Sequence, residues 1–175
     1  VRPGDSVLLY DDDGTHSALS AAEVLARSGS KVEIVTPERT LGIEVGGMNH
    51  VPYARAFNET ETTVTLNQRV KSVQPDDGRL RVDVGSDHSN HRTTRTVDQV
   101  VADHGTRPNA DLYFDLKDGS SNLGEVDYDA LINGRPQVIA NNPDGAYQLF
   151  RIGDAVASRD IHAAIYDALR LMKDV

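Results

Sequence analysis

The segment from Leu149 to Ile165 carries residue types that suit contact with a nucleotide. The segment Leu149 to Ile152, apolar except for Arg151, reads as a strand that ends at Gly153-Asp154, and a helix start follows a short loop. Gly153 lets the backbone leave the strand sharply, and Asp154 supplies a carboxylate for a sugar or ribityl hydroxyl. The small pair Ala163-Ala164 lets backbone N–H groups approach a diphosphate at a helix start. The expected site residues are therefore Gly153, Asp154, Ala163 and Ala164.

Other chemistry-bearing residues support weaker readings. Asp11-Asp12-Asp13 follows an apolar run and precedes a helix, which resembles the cation-binding acidic cluster of response-regulator receiver domains. A receiver also needs a phosphorylatable Asp after its third strand and a Lys after its fifth, and the middle of this chain reads as a meander. The preferred reading is that the aspartates cap the helix and solvate a turn. His88 and His91, with Asp87 alongside, have a zinc-compatible spacing but no second ligand pair, so a polar hairpin loop is preferred. His104 sits at a strand end, and His162 lies at a helix start near a possible phosphate. Arg151 and Arg159 could each pair with a diphosphate or stay solvated. No Gly-x-Ser-x-Gly elbow or comparable nucleophile setting is present, so no catalytic residue and no metal ligand is assigned.

A specific resemblance rests on motifs spread over nearly the whole chain: YDDDGTHSALSAAEVLA from Tyr10, TLGIEVGGMNH from Thr40, VTLNQRV from Val64, VVADHGTRPN from Val100 and IGDAVASRDIHAAIYDALRL from Ile152. Together they resemble the C-terminal part of the flavoenzyme family that includes trimethylamine, dimethylamine and histamine dehydrogenases and 2,4-dienoyl-CoA reductase. The resemblance implies an α/β, Rossmann-like three-layer nucleotide-binding fold with a parallel sheet and an antiparallel β-meander, similar to the disulfide oxidoreductases. It implies that residues 1–148 form a nested small NAD(P)-binding-like domain. Residues 149–175 would then be the returning strand and helix of an ADP- or FAD-binding domain. FMN, an iron-sulfur cluster and the substrate site would lie in an N-terminal barrel outside this chain, and Gly153 and Asp154 would belong to an ADP or FAD half-site. Implied partners are the remainder of the parent enzyme, an electron-transfer flavoprotein and a second copy in a homodimer. The fragment itself is expected to be structural, with weak or no nucleotide binding alone.

Dinucleotide binding at the first turn would need Gly-x-Gly-x-x-Gly, and those positions fall near Asp13, Thr15 and Ala18, none of them glycine. The reading is a Rossmann-like domain that has lost NAD(P)H binding. That points to the amine-dehydrogenase branch rather than to a 2,4-dienoyl-CoA or enoate reductase, which is the alternative. A non-enzymatic interaction or receiver module is the alternative of another class.

The elements that would position these residues follow from pattern. Ser6–Tyr10 suits a buried parallel strand. A helix carrying Ala18, Ala22 and Leu25 is stopped by Gly29, and Lys31–Thr36 is the second strand of a βαβ unit. A helix over Val51–Asn58 precedes strands at Thr63–Val73, Arg79–Val84 and Arg92–Ala102, with a hairpin turn at Pro75-Asp76-Asp77-Gly78. A helix is expected at Asp111–Leu116, Ser120–Asn142 is unassigned, and Ile161, Ala164, Ile165, Ala168, Leu169 and Met172 trace an apolar helical stripe. The 175 residues include 18 basic and 27 acidic ones, for a net charge of −9 that disfavours nucleic acid. No apolar run approaches the ~20 residues of a membrane helix. The absence of cysteine excludes disulfides and a cysteine-ligated cluster within this chain. The opening residues lack an apolar secretory region, and a cytoplasmic location is expected.

Overall fold

The computed structural model describes residues 3–172. The chain divides into two compact units, Val1–Gly105 and Thr106–Val175. The first is a three-layer α/β unit. Its parallel sheet has the order β3-β2-β1-β7, built from β1 (Ser6–Asp11), β2 (Lys31–Val35), β3 (Thr63–Thr65) and β7 (Gln99–Asp103). A second, antiparallel sheet has the order β4-β5-β6, from β4 (Arg69–Asp76), β5 (Arg79–Gly85) and β6 (Arg92–Val97).

The apolar run Val7-Leu8-Leu9-Tyr10 is buried on both faces, which is why it lacks the alternation of a half-exposed strand. Leu9 packs with Val32 and Ile34 against Ala18, Leu19 and Ala22 of α1 (His16–Arg27) and Phe57 of α2 (Gly47–Glu59). Leu8 and Tyr10 pack on the other face against Val82, Val84 and Val97 of the meander. Burying each such side chain is worth about 1.5–3 kcal/mol, so the one central strand ties the helical layer to the meander. Gly29 ends α1 at φ +95°, with Ser30 N–H donating to Leu25 C=O and Gly29 N–H to Ala26 C=O. Those two bonds form a Schellman cap.

Two expected strands are each divided between the sheets. Thr63–Val73 breaks at Asn67, whose φ is +54°, leaving β3 in the parallel sheet and β4 in the meander. Arg92–Ala102 breaks at Asp98, which separates β6 from β7. The Asp98 carboxylate accepts from Ser6 N–H at 2.8 Å, Ser6 Oγ at 2.7 Å and Arg79 Nε at 2.9 Å, anchoring the crossing point to the start of β1. The expected hairpin turn is present, with Asp77 and Gly78 at φ +45° and +79° between the paired Asp76 and Arg79. Both central residues in the left-handed region make it a type I′ turn.

The second unit contains α3 (Asp111–Lys117), α4 (Tyr128–Ile132), a 3-10 turn at Gly153–Ala155 and α5 (Ile161–Leu171). Its buried apolar residues among those described are Ala110, Ala130 and Leu171, so polar side chains hold much of it together. Asn122, buried, donates to Glu125 C=O and Leu149 C=O at 2.8 Å each and accepts from Leu149 N–H at 2.9 Å. Gln137 does the same for Asp127, accepting from its N–H at 2.8 Å and donating to its C=O at 3.1 Å. The strand expected at Leu149–Ile152 does not form. Among the described residues of this unit no neighbouring strand offers it a ladder, and the Asn122 amide takes both backbone groups of Leu149 instead.

Candidate functional site

Gly153 opens the 3-10 turn with φ +55°. A Cβ built there would lie 3.1 Å from the Ala164 Cβ, so the turn rests directly on the small side chain of α5. Gly153 N–H donates to Asp167 Oδ2 at 3.2 Å, and Arg159 forms an ion pair with the same carboxylate. The Asp154 side chain is exposed, while its backbone C=O accepts from Asn109 N–H at 3.1 Å. Ile152, Gly153, Asp154, Arg159, Asp160, Ile161 and Ala164 surround a hollow of about 430 Å³.

The start of α5 is capped from within. Asp160 is the N-cap, and its Oδ1 accepts from Ala163 N–H at 2.7 Å. An aspartate cap of this kind is worth about 1 kcal/mol and also complements the positive end of the helix. It occupies the N–H that sequence reasoning reserved for a diphosphate, and its charge would repel one. The free Asp154 carboxylate suits a sugar or ribityl hydroxyl, because an ionised carboxylate only accepts hydrogen bonds. The donor set therefore fits the hydroxyl-bearing part of an ADP or flavin cofactor and does not fit its diphosphate. Gly153, Asp154 and Ala164 are brought together around the hollow, and Ala163 is engaged with Asp160. Arg151 lies over the Tyr113 and Phe114 rings at 5.0 and 5.7 Å. His162 is exposed at the helix start.

The other candidate lies at the carboxyl ends of β1 and β7, where an open α/β sheet of this order holds its ligands. Asp11 Oδ1 accepts from Gly14 N–H at 2.7 Å and Asp13 N–H at 3.3 Å, so Asp11 closes the turn into α1. Asp13 Oδ2 accepts from Thr15 Oγ1 at 2.7 Å, and Thr15 is the N-cap of α1. Ala18, at the third position of the fingerprint, is a buried residue of α1, and a Cβ on Gly14 would meet Ile43 Cγ2 at 2.6 Å. Side chains thus fill the space that the glycine fingerprint keeps open.

Beside this turn, on the meander side, Arg69 donates to Tyr10 Oη at 3.0 Å, Asp12 Oδ1 at 2.8 Å and Asp87 Oδ2 at 3.0 Å. His104 Nδ1 stands 3.1 Å from Asp12 Oδ2, and its ring meets the Tyr10 ring edge-on. Hydrogen bonds from Lys71 and Arg69 hold the Asp87 carboxyl below its ordinary range. Burial raises the Tyr10 hydroxyl above its ordinary range, and the charge of Asp12 adds to it. Asp87 is thereby committed to Arg69 and Lys71 rather than to His88 and His91, which lie on the exposed β5–β6 loop. Among the described residues no three His, Asp or Glu side chains converge as metal ligands would. The receiver reading lacks its other parts as well, because β3 leads through Leu66 and Asn67 into the meander and presents no aspartate. Sequence reasoning missed Arg69 and Asp103 here. Charged residues at the start or end of a strand adjoining the acidic turn are the signal that could have found them.

Comparison with known proteins places these observations in a family. No family model matches the chain. A probable N-methylproline demethylase of Rhizobium meliloti is 52% identical over 175 residues, covering 100% of this chain and 26% of that protein. An N,N-dimethylglycine/sarcosine dehydrogenase of Chromohalobacter salexigens is 39% identical over 178 residues, covering 99% of this chain and 26% of that protein. The structure of histamine dehydrogenase from Rhizobium sp. 4-9 superposes with a TM-score of 0.64 at 23% identity, covering 96% of this chain and 22% of that one. The last likeness shows the fold. The chain spans about a quarter of the length of the curated relatives it matches, and those relatives are oxidoreductases. Over its whole length it belongs to the family of trimethylamine, dimethylamine and histamine dehydrogenases and 2,4-dienoyl-CoA reductases, as the counterpart of a C-terminal region of those proteins.

Proposed function

We propose that this chain is the Rossmann-like C-terminal region of a flavin-dependent oxidoreductase that oxidatively N-demethylates a methylated amine or amino acid and passes electrons to a protein acceptor such as an electron-transfer flavoprotein. The observation that carries the reading is 52% identity across the entire chain to a probable N-methylproline demethylase. Substrate oxidation belongs to the remainder of the parent, with FMN and an iron-sulfur cluster in an N-terminal barrel, and the region described here is not itself catalytic. The parent is cytoplasmic and forms a homodimer in this reading. When bound, the flavin supplies the two-electron chemistry, which side chains of this region do not perform.

The role of this region is to complete an ADP or FAD site. Asp154 accepts a hydrogen bond from a sugar or ribityl hydroxyl. Gly153 and Ala164 hold the turn against α5 so that the Asp154 carboxylate faces the hollow, and Ala163 N–H steadies the helix start through Asp160. The diphosphate is left to a Gly-rich turn elsewhere in the parent. The crowded turn at Asp11–Gly14 supports loss of NAD(P)H binding, which sets aside the 2,4-dienoyl-CoA or enoate reductase reading. The test is nucleotide released from the denatured full-length parent, quantified for wild type and Asp154→Ala. About one ADP or FAD per chain in wild type, with a clear loss in the variant and unchanged FMN, is the expected result. Equal nucleotide content in both proteins would remove Asp154 from the site.

A further inference from the structure

The parallel sheet ends, between β1 and β7, in two carboxylates that share one register position. Asp11 pairs with Asp103, so both side chains leave the same face of strands about 4.8 Å apart. Asp11 is fully buried. Its Oδ1 accepts the two turn N–H groups, and Asp103 Oδ1 accepts from Gly105 N–H at 3.1 Å. The remaining oxygens, Asp11 Oδ2 and Asp103 Oδ2, are both sealed from solvent and have no hydrogen-bond partner. Two ionised oxygens left this way would carry a full desolvation penalty with nothing to offset it. The nearby cations and imidazoles are engaged elsewhere: Arg69 with Asp12 and Asp87, Lys71 with Asp87, and His104 with Asp12, while His16 at the start of α1 bonds Tyr53.

We infer that Asp11 and Asp103 share one proton between their Oδ2 atoms, so that a hydrogen bond between the two carboxyl groups latches β1 to β7 at the mouth of the sheet. A single proton would satisfy both oxygens together. Burial drives the Asp11 carboxyl toward its neutral form, and the charges of Asp103 and Asp13 push the same way against the two N–H bonds. These are the groups that face Asp11 from β7 and from the turn; Asp12, Arg69 and His104 form their own cluster on the meander side.

The latch makes the stability of this unit fall as pH rises. Asp11 titrates higher in the folded chain than in the unfolded one. Its contribution to stability is therefore complete below the ordinary aspartate pKa of about 3.9 and is lost as pH rises through the raised value. Across that window the unfolding constant of wild type rises by up to about tenfold per pH unit relative to Asp11→Asn. Urea unfolding of the 175-residue chain as a function of pH tests this, with Asp103→Asn as a second variant whose amide can donate to an ionised Asp11. Infrared spectra of chain labelled with ¹³C at the aspartate carboxyls should show a protonated carboxyl band that persists to higher pH than that of an ordinary aspartate, whose pKa is about 3.9, and the persistence should vanish in both variants. Parallel pH profiles for wild type and both variants would overturn the inference. If the variants do not fold, the wild-type band alone decides, and its complete loss over the ordinary aspartate range, at about pH 3.9, overturns the inference equally.

Discussion

Replacing Gly153 with alanine tests the turn that presents Asp154. The backbone there is at φ +55°, and for a residue with a Cβ the left-handed region costs about 1–2 kcal/mol. The new Cβ would also lie 3.1 Å from the Ala164 Cβ, tighter than an ordinary contact, so α5 must shift by a few tenths of an ångström. Together these give a loss of about 1–3 kcal/mol, with small-to-large crowding taking the upper part of that range. Pairing Gly153→Ala with Ala164→Gly removes the crowding but keeps the backbone cost and adds about 1 kcal/mol for glycine inside a helix. The chain has six tyrosines and no tryptophan, so urea unfolding followed by tyrosine fluorescence reports the transition. A Gly153→Ala chain as stable as wild type within about 0.3 kcal/mol, well inside the backbone cost alone, would refute both the turn geometry and its contact with α5.

Asn122→Ala should cost about 1–3 kcal/mol, because it removes the partner of the part-buried N–H and C=O of Leu149, and hydrogen exchange at the Leu149 amide should accelerate with it. Leu9→Ala, at the centre of the cluster beneath α1, should cost about 2–5 kcal/mol in the same urea assay. Asp98 has its carboxyl held below the ordinary range, chiefly by the Ser6 hydroxyl, then by the Ser6 N–H and Arg79. Its contribution is present above an aspartate pKa of about 3.9 and lost as pH falls through the lower folded value, so Asp98→Asn should flatten the acid limb of a stability–pH profile.

The parts of the fold legible from sequence were those written in local chemistry. Val7–Tyr10 announces a doubly buried strand, Gly29 a helix stop, and Asp77-Gly78 a two-residue hairpin. The breaks at Asn67 and Asp98 were not legible, since each looks like an ordinary polar position inside a β-rich run. Asn67 breaks its run by a left-handed turn, and Asp98 by bonding Ser6, 92 residues away. The sharp turn at Gly153 could be read directly, because a positive φ favours glycine, and Asp154 lies exposed beside it. The capping of Ala163 N–H by Asp160 was legible in principle, since an aspartate three residues before the helix's first small pair is a common N-cap. The Asp11–Asp103 pair was not, because only the register of two parallel strands brings those residues together. The strand expected at 149–152 shows the converse: an apolar run has strand character only when a neighbour supplies its hydrogen bonds.

The central claim is that this region supports a flavin-dependent demethylating enzyme and does not itself receive electrons from NAD(P)H. The most direct measurement is an anaerobic visible spectrum of the full-length parent, recorded before and after NADPH and then after an N-methylated amine or amino acid. The account predicts flavin bands that persist with NADPH and bleach with the methylated substrate. Bleaching by NADPH would contradict it by showing that the acidic turn admits a dinucleotide, and a colourless protein would overturn the flavoenzyme assignment.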